Sequence, residues 1–214
     1  AAGLLLIAGG ATALWATYNH IEQISITASA GKPMELMLPD NTKVWLNKGG
    51  TISYPKEFDG DERRVELSGE ALFCVAKNPN KPFIVSSQGA CTRVLGTTFN
   101  FNTRCQGNSE EVSLLEGSLE ITGTNGEGKV VIQPNQKAII DKTKHTMEVE
   151  DVYAPLEAVW HDGMIPFRNM SVRDIAHVLE NLYGVEIDLS AGLDRRSTYS
   201  GYIRRGDKID DVLD

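Results

Sequence analysis

Residues 38–77 read LPDNTKVWLNKGGTISYPKEFDGDERRVELSGEALFCVAK, and this stretch decides the fold. Over 42–46 and 63–67 apolar and polar residues alternate, the period of a strand with one buried face. Between these runs lie Pro39-Asp40-Asn41, Lys48-Gly49-Gly50, Pro55 and Asp59-Gly60-Asp61. Glycine and asparagine accept positive φ and aspartate bonds nearby backbone, so each cluster is a turn with a mechanism. Gly69 is expected to open the longest strand of the stretch, 70–76, which Asn78-Pro79 closes.

The same pattern continues to about Val149. Strands are expected over 24–28, 34–38, 51–54, 83–87, 91–95, 98–103, 111–115, 118–122, 130–133, 136–141 and 146–150, with a hairpin loop over 122–128. No part of this region shows a convincing 3.6-residue period. Short strands at close, regular spacing imply an all-β unit over 34–150, built as a rolled sandwich or a β-helix-like stack. Trp45, Leu67, Phe73, Val75 and Val94 are its expected core residues.

On the N-terminal side, residues 1–18 (AAGLLLIAGGATALWATY) carry no charge. As a helix they would span roughly 27 Å, near the thickness of a bilayer's hydrocarbon core. Trp15 and Tyr18 sit at the end of the run, where an interfacial aromatic belt belongs. The reading is one transmembrane helix; a signal-peptide core is the alternative, and no clear cleavage site follows it. Residues 19–33 read as a linker carrying one strand. The chain lacks an initiating Met and stops within a helical pattern, so it is expected to continue at both ends.

On the C-terminal side, composition shifts near Tyr153. One or two helical turns over 154–160 and a short edge strand over 164–167 come first. Ser171 then N-caps the clearest helix, with Asp174 three residues on. Val172, Ile175, Ala176, Leu179, Leu182 and Tyr183 share a face, and Gly184 ends the helix. Strands over 185–189 and 198–203 follow, then a helix capped by Asp207 with Ile209, Val212 and Leu213 on one side. Residues 151–214 thus form a small α+β domain.

The blocks LPDNTKVWLNKGGTISYPKEF, RRVELSGEALFCVAKNPNKPFIV, RVLGTTFNF and VSLLEGSLEI occur in this order within about residues 34–141. Together they resemble the periplasmic domain of FecR-family transmembrane sigma-factor regulators. Cys74 departs from the charged or polar residue expected there. FRNMSVRDIAHVLENLYGVEIDLS and YSGYIRRGDKIDDVL, within about 159–214, resemble the C-terminal domain of the same family, similar in layout to the short N-terminal domains of secretins and TonB-dependent receptors. The resemblance implies inner-membrane anchoring with the bulk of the chain in the periplasm. It also implies two partners: an extracytoplasmic-function sigma factor, held through a cytoplasmic segment absent from these residues, and the signalling domain of an outer-membrane TonB-dependent transducer. Transducer occupancy in such systems leads to proteolysis and sigma release.

The residues themselves supply little chemistry. A net charge of −8 argues against a nucleic-acid surface, which needs clustered Lys and Arg. Cys74, Cys91 and Cys105 form no metal or redox spacing; Cys91 and Cys105 flank a hairpin and could pair, or all three are half-buried thiols. None of His20, His145, His161 and His177 has a ligand partner at metal spacing, and His177 with Glu180 reads as a surface pair. Asp59, Asp61 and Glu62 beside Arg63 and Arg64 read as a charge-balanced turn, not a calcium loop. There is no nucleophile elbow, phosphate loop, paired-carboxylate spacing or cofactor motif. No enzyme activity, cofactor or metal is therefore expected.

One local feature stands out. Arg195, Arg196, Arg204 and Arg205 bracket 197–203 with no acid inside that segment, a basic patch on an acidic protein. A solvated hairpin is the plain explanation; a docking site for an acidic partner is the functional one. Tyr199 and Tyr202, three apart, should face opposite sides of a strand, one inward and one as an exposed anchor. Tyr199, Tyr202, Arg204 and Arg205 are the candidate partner-binding residues. The competing function is a membrane-tethered periplasmic carbohydrate-binding or enzymatic β domain, for which Trp45, Tyr54 and Phe58 would be the sugar-facing aromatics.

Overall fold

The computed structural model describes residues 22–190 and 197–213. Two seven-stranded sheets dominate it. The first has the order β1 (Gln23–Thr27), β4 (Thr51–Pro55), β5 (Arg63–Ser68), β7 (Phe83–Ser86), β8 (Ala90–Val94), β11 (Leu119–Gly123) and β12 (Lys129–Ile132). The second runs β14 (Thr146–Asp151), β13 (Gln136–Asp141), β10 (Ser109–Glu116), β9 (Thr98–Asn102), β6 (Glu70–Cys74), β3 (Lys43–Leu46) and β2 (Met34–Met37). Every pairing within these two sheets is antiparallel except β5 with β7. That pattern is a sandwich and not a β-helix, whose strands would stack in parallel.

The alternation in residues 38–77 becomes a single core. Val44 and Leu46 of β3, Val65 and Leu67 of β5, Phe73 of β6, Phe83 of β7 and Phe99 and Phe101 of β9 all enter one buried cluster. Phe73 stacks on Phe99 at 5.1 Å between centroids. Gly69, between β5 and β6, has φ +115, and a Cβ there would sit 2.6 Å from the Gly50 Cα. Only glycine lets the two turns meet so closely.

Arg63 opens β5 and is 2% exposed. Its Nη1 donates to Asp40 Oδ2 at 2.7 Å and to the Ala76 carbonyl at 2.7 Å, and its Nε donates to the Lys81 carbonyl at 2.9 Å. The charged turn expected around Asp59–Glu62 is therefore divided. Arg63 faces inward, while Arg64 and Arg93 engage Glu62 on the surface at 2.7 and 3.0 Å.

Several expectations need correction. Trp45 is not a core residue. Val44 and Leu46 take the inward positions, so Trp45 projects from the outer face of the second sheet and meets the edge of His161 at 5.3 Å. The segment 91–105 is not a hairpin: β8 lies in the first sheet and β9 in the second, so the turn between them crosses the sandwich. All three cysteines are free. Strand β6 ends at Cys74, so the six-residue β5 is the longest strand of residues 38–77, and β10 and β15 (Met164–Ser171) are the longest among the described residues. The strand expected inside 19–33 is β1, an edge of the first sheet.

Beyond β14 come the helix α1 (Ala154–Ala158), β15, the helix α2 (Val172–Tyr183), β16 (Thr198–Arg204) and the helix α3 (Ile209–Leu213). Strands β15 and β16 form a separate antiparallel ribbon. No strand forms over 185–189. The Ile187 N–H donates to the Glu180 carboxylate at 2.9 Å, so this backbone is tied to the helix before it instead of to a ladder. Among the described residues no helix is long and apolar enough to cross a membrane. The expected transmembrane helix, 1–18, and His20, Arg195 and Arg196 lie outside the described residues.

Candidate functional site

The small C-terminal part gathers the residues singled out in the sequence. Helix α2 begins as its cap chemistry requires. Ser171 Oγ accepts from the Asp174 N–H at 3.2 Å and donates to the Asp174 carboxylate at 2.7 Å. It ends at Gly184, φ +66, whose N–H returns to the Glu180 carbonyl. One side of the helix joins a small core with Val159, Ile165 and Val178. The periodic reading omitted Val178. It is buried because Tyr153, Leu156 and Val159 cover a second side of the helix, a contact that helix periodicity alone does not reveal.

The other side of α2 faces a groove of about 550 Å³ whose walls include Phe167, Ile175, Leu179, Ile187, Tyr199 and Tyr202. Both tyrosines line it, against the expectation that they face opposite ways. The irregularity of the ribbon lies opposite them, in β15. Phe167 pairs with Gly201 and Met170 with Tyr199, so β15 carries one extra residue, a bulge at which Asn169 adopts φ +50. A bulge increases twist and re-aims side chains. At the bulge the Asn169 N–H donates to Ser200 Oγ at 3.0 Å. Gly201 lets the Phe167 ring pack close beside it, since an added Cβ would lie 3.0 Å from that ring and make it shift.

Tyr199 and Tyr202 are 47% and 57% exposed, large for aromatic rings on a strand. Arg204 and Arg205 are exposed, and among the described residues neither guanidinium makes an ion pair. Their backbones are anchored, Arg205 N–H to the Gly163 carbonyl at 2.9 Å and Arg204 N–H to Asp207 Oδ2 at 3.4 Å. Tyr183 Oη donates to the Asp207 carbonyl at 2.9 Å, which fixes the turn to α2. The four candidate residues therefore lie along one strand and its exit, with β16 unpaired on its second edge among the described residues.

The remaining candidates do not assemble into a catalytic or sugar site. Among the described residues no group of His, Cys, Asp and Glu could hold a metal ion. His177 Nδ1 lies 2.9 Å from Glu180 on the helix surface. The Ile187 N–H and then His177 hold the Glu180 carboxyl below the usual carboxylate range. Tyr54 is 6% exposed within the core, Phe58 packs edge-on to Phe83, and Trp45 is engaged by His161. None of the three offers an open ring for a sugar.

Comparison with known proteins follows the same division of the chain. The family model FecR protein matches residues 24–120, and the model FecR, C-terminal matches residues 164–214, together about two thirds of the chain. No curated protein matches it. Two crystal structures of a proposed anti-sigma factor from Parabacteroides distasonis, at 2.50 and 1.65 Å resolution, are similar throughout. The first is 29% identical with TM-score 0.64 over 90% of this chain and 89% of the other. The second is 29% identical with TM-score 0.63 over 89% and 88%. The sandwich, the α/β tail and these matches agree: the chain belongs to the FecR family of anti-sigma regulators.

Proposed function

We propose that this regulator is held in the inner membrane by residues 1–18, that a short link joins the anchor to a periplasmic β domain that begins with β1 and runs to about residue 150, and that the domain over 151–214 receives the signal. The signal comes from the signalling domain of an outer-membrane TonB-dependent transducer and is relayed to an extracytoplasmic-function sigma factor held on the cytoplasmic side. The family is typically membrane-anchored and regulatory, and the relay needs binding surfaces, not catalytic groups. The observation that carries the reading is β16. Among the described residues it has an unpaired edge, two exposed tyrosines beside an apolar groove, and two arginines without ion pairs. An open edge accepts a strand from another chain, and cations at its exit speed encounter with an acidic partner.

Surface plasmon resonance of this chain against the transducer's signalling domain tests it. Tyr202→Pro removes one backbone donor from β16 and should weaken binding. Arg204→Glu with Arg205→Glu should slow association, and the difference should shrink as salt is raised. Unchanged affinity and on-rate in folded variants would move the interface to α2 or to the sandwich.

A further inference from the structure

The outer face of the second sheet carries a row of cross-strand neighbours. Trp45 pairs with Leu72, Leu72 with Asn100, Asn100 with Ser113, and Ser113 with Lys137. Residues 154–161 lie across this row, touching it at three points and the turn beside it at a fourth. Asn135 Oδ1, at the start of the β13 hairpin, accepts the Ala154 N–H at 3.3 Å; Tyr153, the cap residue of α1, supplies no side-chain cap of its own. Glu157 reaches Lys137 at 3.4 Å. Trp160 Nε1 donates to Asn100 Oδ1 at 3.2 Å, and Asn100 is 3% exposed. His161 closes the line with its edge against Trp45.

The polar part of this line is built into the sheet. Asn100 Nδ2 donates to Glu70 Oε1 at 3.0 Å, and the other Glu70 oxygen accepts from Asn47 Nδ2 at 2.6 Å. The Trp160 indole thus binds an amide already held in place from behind. The opposite side of the same segment belongs to the C-terminal core. Tyr153 and Leu156 pack on Val159, Ile165 and Val178, and the Tyr153 hydroxyl donates to the Pro166 carbonyl. The segment therefore belongs to the C-terminal core on one side and rests on the outer face of the second sheet on the other, and the two cores have no residue in common.

We propose that residues 154–161 are a releasable strap, which docks the C-terminal part on the second sheet and can lift from it while both cores stay folded. A small interface between folded units, here part polar and part apolar, opens more readily than either core unfolds. Lifting the strap uncovers Trp45 and Leu72, an apolar pair that the docked form covers. It gives a partner bound on the C-terminal side a physical means to change the surface of the sandwich. The inference does not depend on which partner binds.

Small-angle X-ray scattering of the full chain, with thermal unfolding followed in parallel, tests it from both sides of the contact. Trp160→Phe keeps the ring and deletes the indole donor. Trp45→Ala removes the ring that His161 meets. Each variant should raise the maximum dimension and radius of gyration while the sandwich keeps a cooperative transition. Unchanged scattering in both variants would overturn the proposal. So would loss of the cooperative transition in both, which would make the contact part of the sandwich's own fold.

Discussion

Arg63→Met is expected to be the most damaging single change at the closed end of the sandwich. The guanidinium joins three chain segments: the turn at Asp40, the chain just past β6 at Ala76 and the loop at Lys81. It is 2% exposed, its partner Asp40 only 11%, and it lies 5.3 Å from the Phe83 ring. Asp40 is itself committed, since it accepts from Thr42 N–H and Oγ at 3.0 and 2.8 Å, and Thr42 Oγ accepts the Ala76 N–H at 3.1 Å. Deleting the arginine strands a buried carboxylate and removes the donors to two carbonyls. Loss of one member of a buried pair costs about 3–5 kcal/mol. The Nη2 group has no protein partner in the native fold, so its desolvation already counts against the pair and the lower half of that range is favoured. At about 2–4 °C per kcal/mol for a chain of this size, the melting temperature should fall by roughly 10 °C. Circular dichroism melts of wild type, Arg63→Met, Arg63→Lys and Arg63→Met with Asp40→Leu provide the comparison. Lysine cannot serve three acceptors from one planar fork, so Arg63→Lys should recover little. The double variant removes both charges and should melt above the single one. A shift under about 2 °C for Arg63→Met, well short of the expected loss, would refute the assignment of this cluster as a structural clamp.

Gly69→Ala forces a side chain into φ +115 and against the Gly50 backbone, and should cost at least about 2 kcal/mol; Gly60→Ala, with φ +74 and open space around it, should cost less in the same urea titration. Burial, and then Glu111, pushes the Cys105 thiol up to about 12, so iodoacetamide at mildly alkaline pH should label exposed Cys74 first, and peptide mapping that found Cys105 labelled as fast would contradict its buried protonated state. The Glu180 carboxyl is depressed in the folded chain by the Ile187 N–H and by His177. Its contribution is therefore present above the unfolded carboxyl value of about 4.3 and lost as pH falls through the folded one, and hydrogen exchange at the Ile187 amide should quicken on that acid side before the sandwich amides change.

The sandwich was legible because its signals are local. Asp59-Gly60-Asp61 and Lys48-Gly49-Gly50 end strands by chemistry that needs no distant partner, and Gly49 and Gly60 do adopt positive φ. Val65 and Leu67 go inward because period two leaves no other face for them. Long-range facts were not legible. Nothing between Cys91 and Cys105 says that the chain leaves one sheet for the other at Gly96; the alternation on each side fits a hairpin equally well. The strand expected over 185–189 failed for a related reason. Val185, Ile187 and Leu189 have strand character, but a strand exists only where a ladder partner is available, and here Glu180 takes the Ile187 N–H first.

Trp45 shows where reading by periodicity stops. Alternation divides Lys43–Leu46 into two faces and says which residues share one, but it cannot say how many layers the protein has. In a two-layer protein a tryptophan between Val44 and Leu46 would be exposed, so its size argued for the core. The structure resolves the conflict with a third, partial layer. Residues 154–161 cover the outer face along the row that runs from Lys137 through Asn100 and Leu72 to Trp45. Leu72 carries the same signature, 3% exposed yet outside the sandwich core. Tyr199 and Tyr202 failed in the converse way. Their three-residue spacing assigns them to opposite faces of a regular strand, yet both stand exposed beside the groove. In both cases the residues that departed from local pattern lie where two parts of the molecule meet, and such positions are where local rules give way to contacts made elsewhere in the chain.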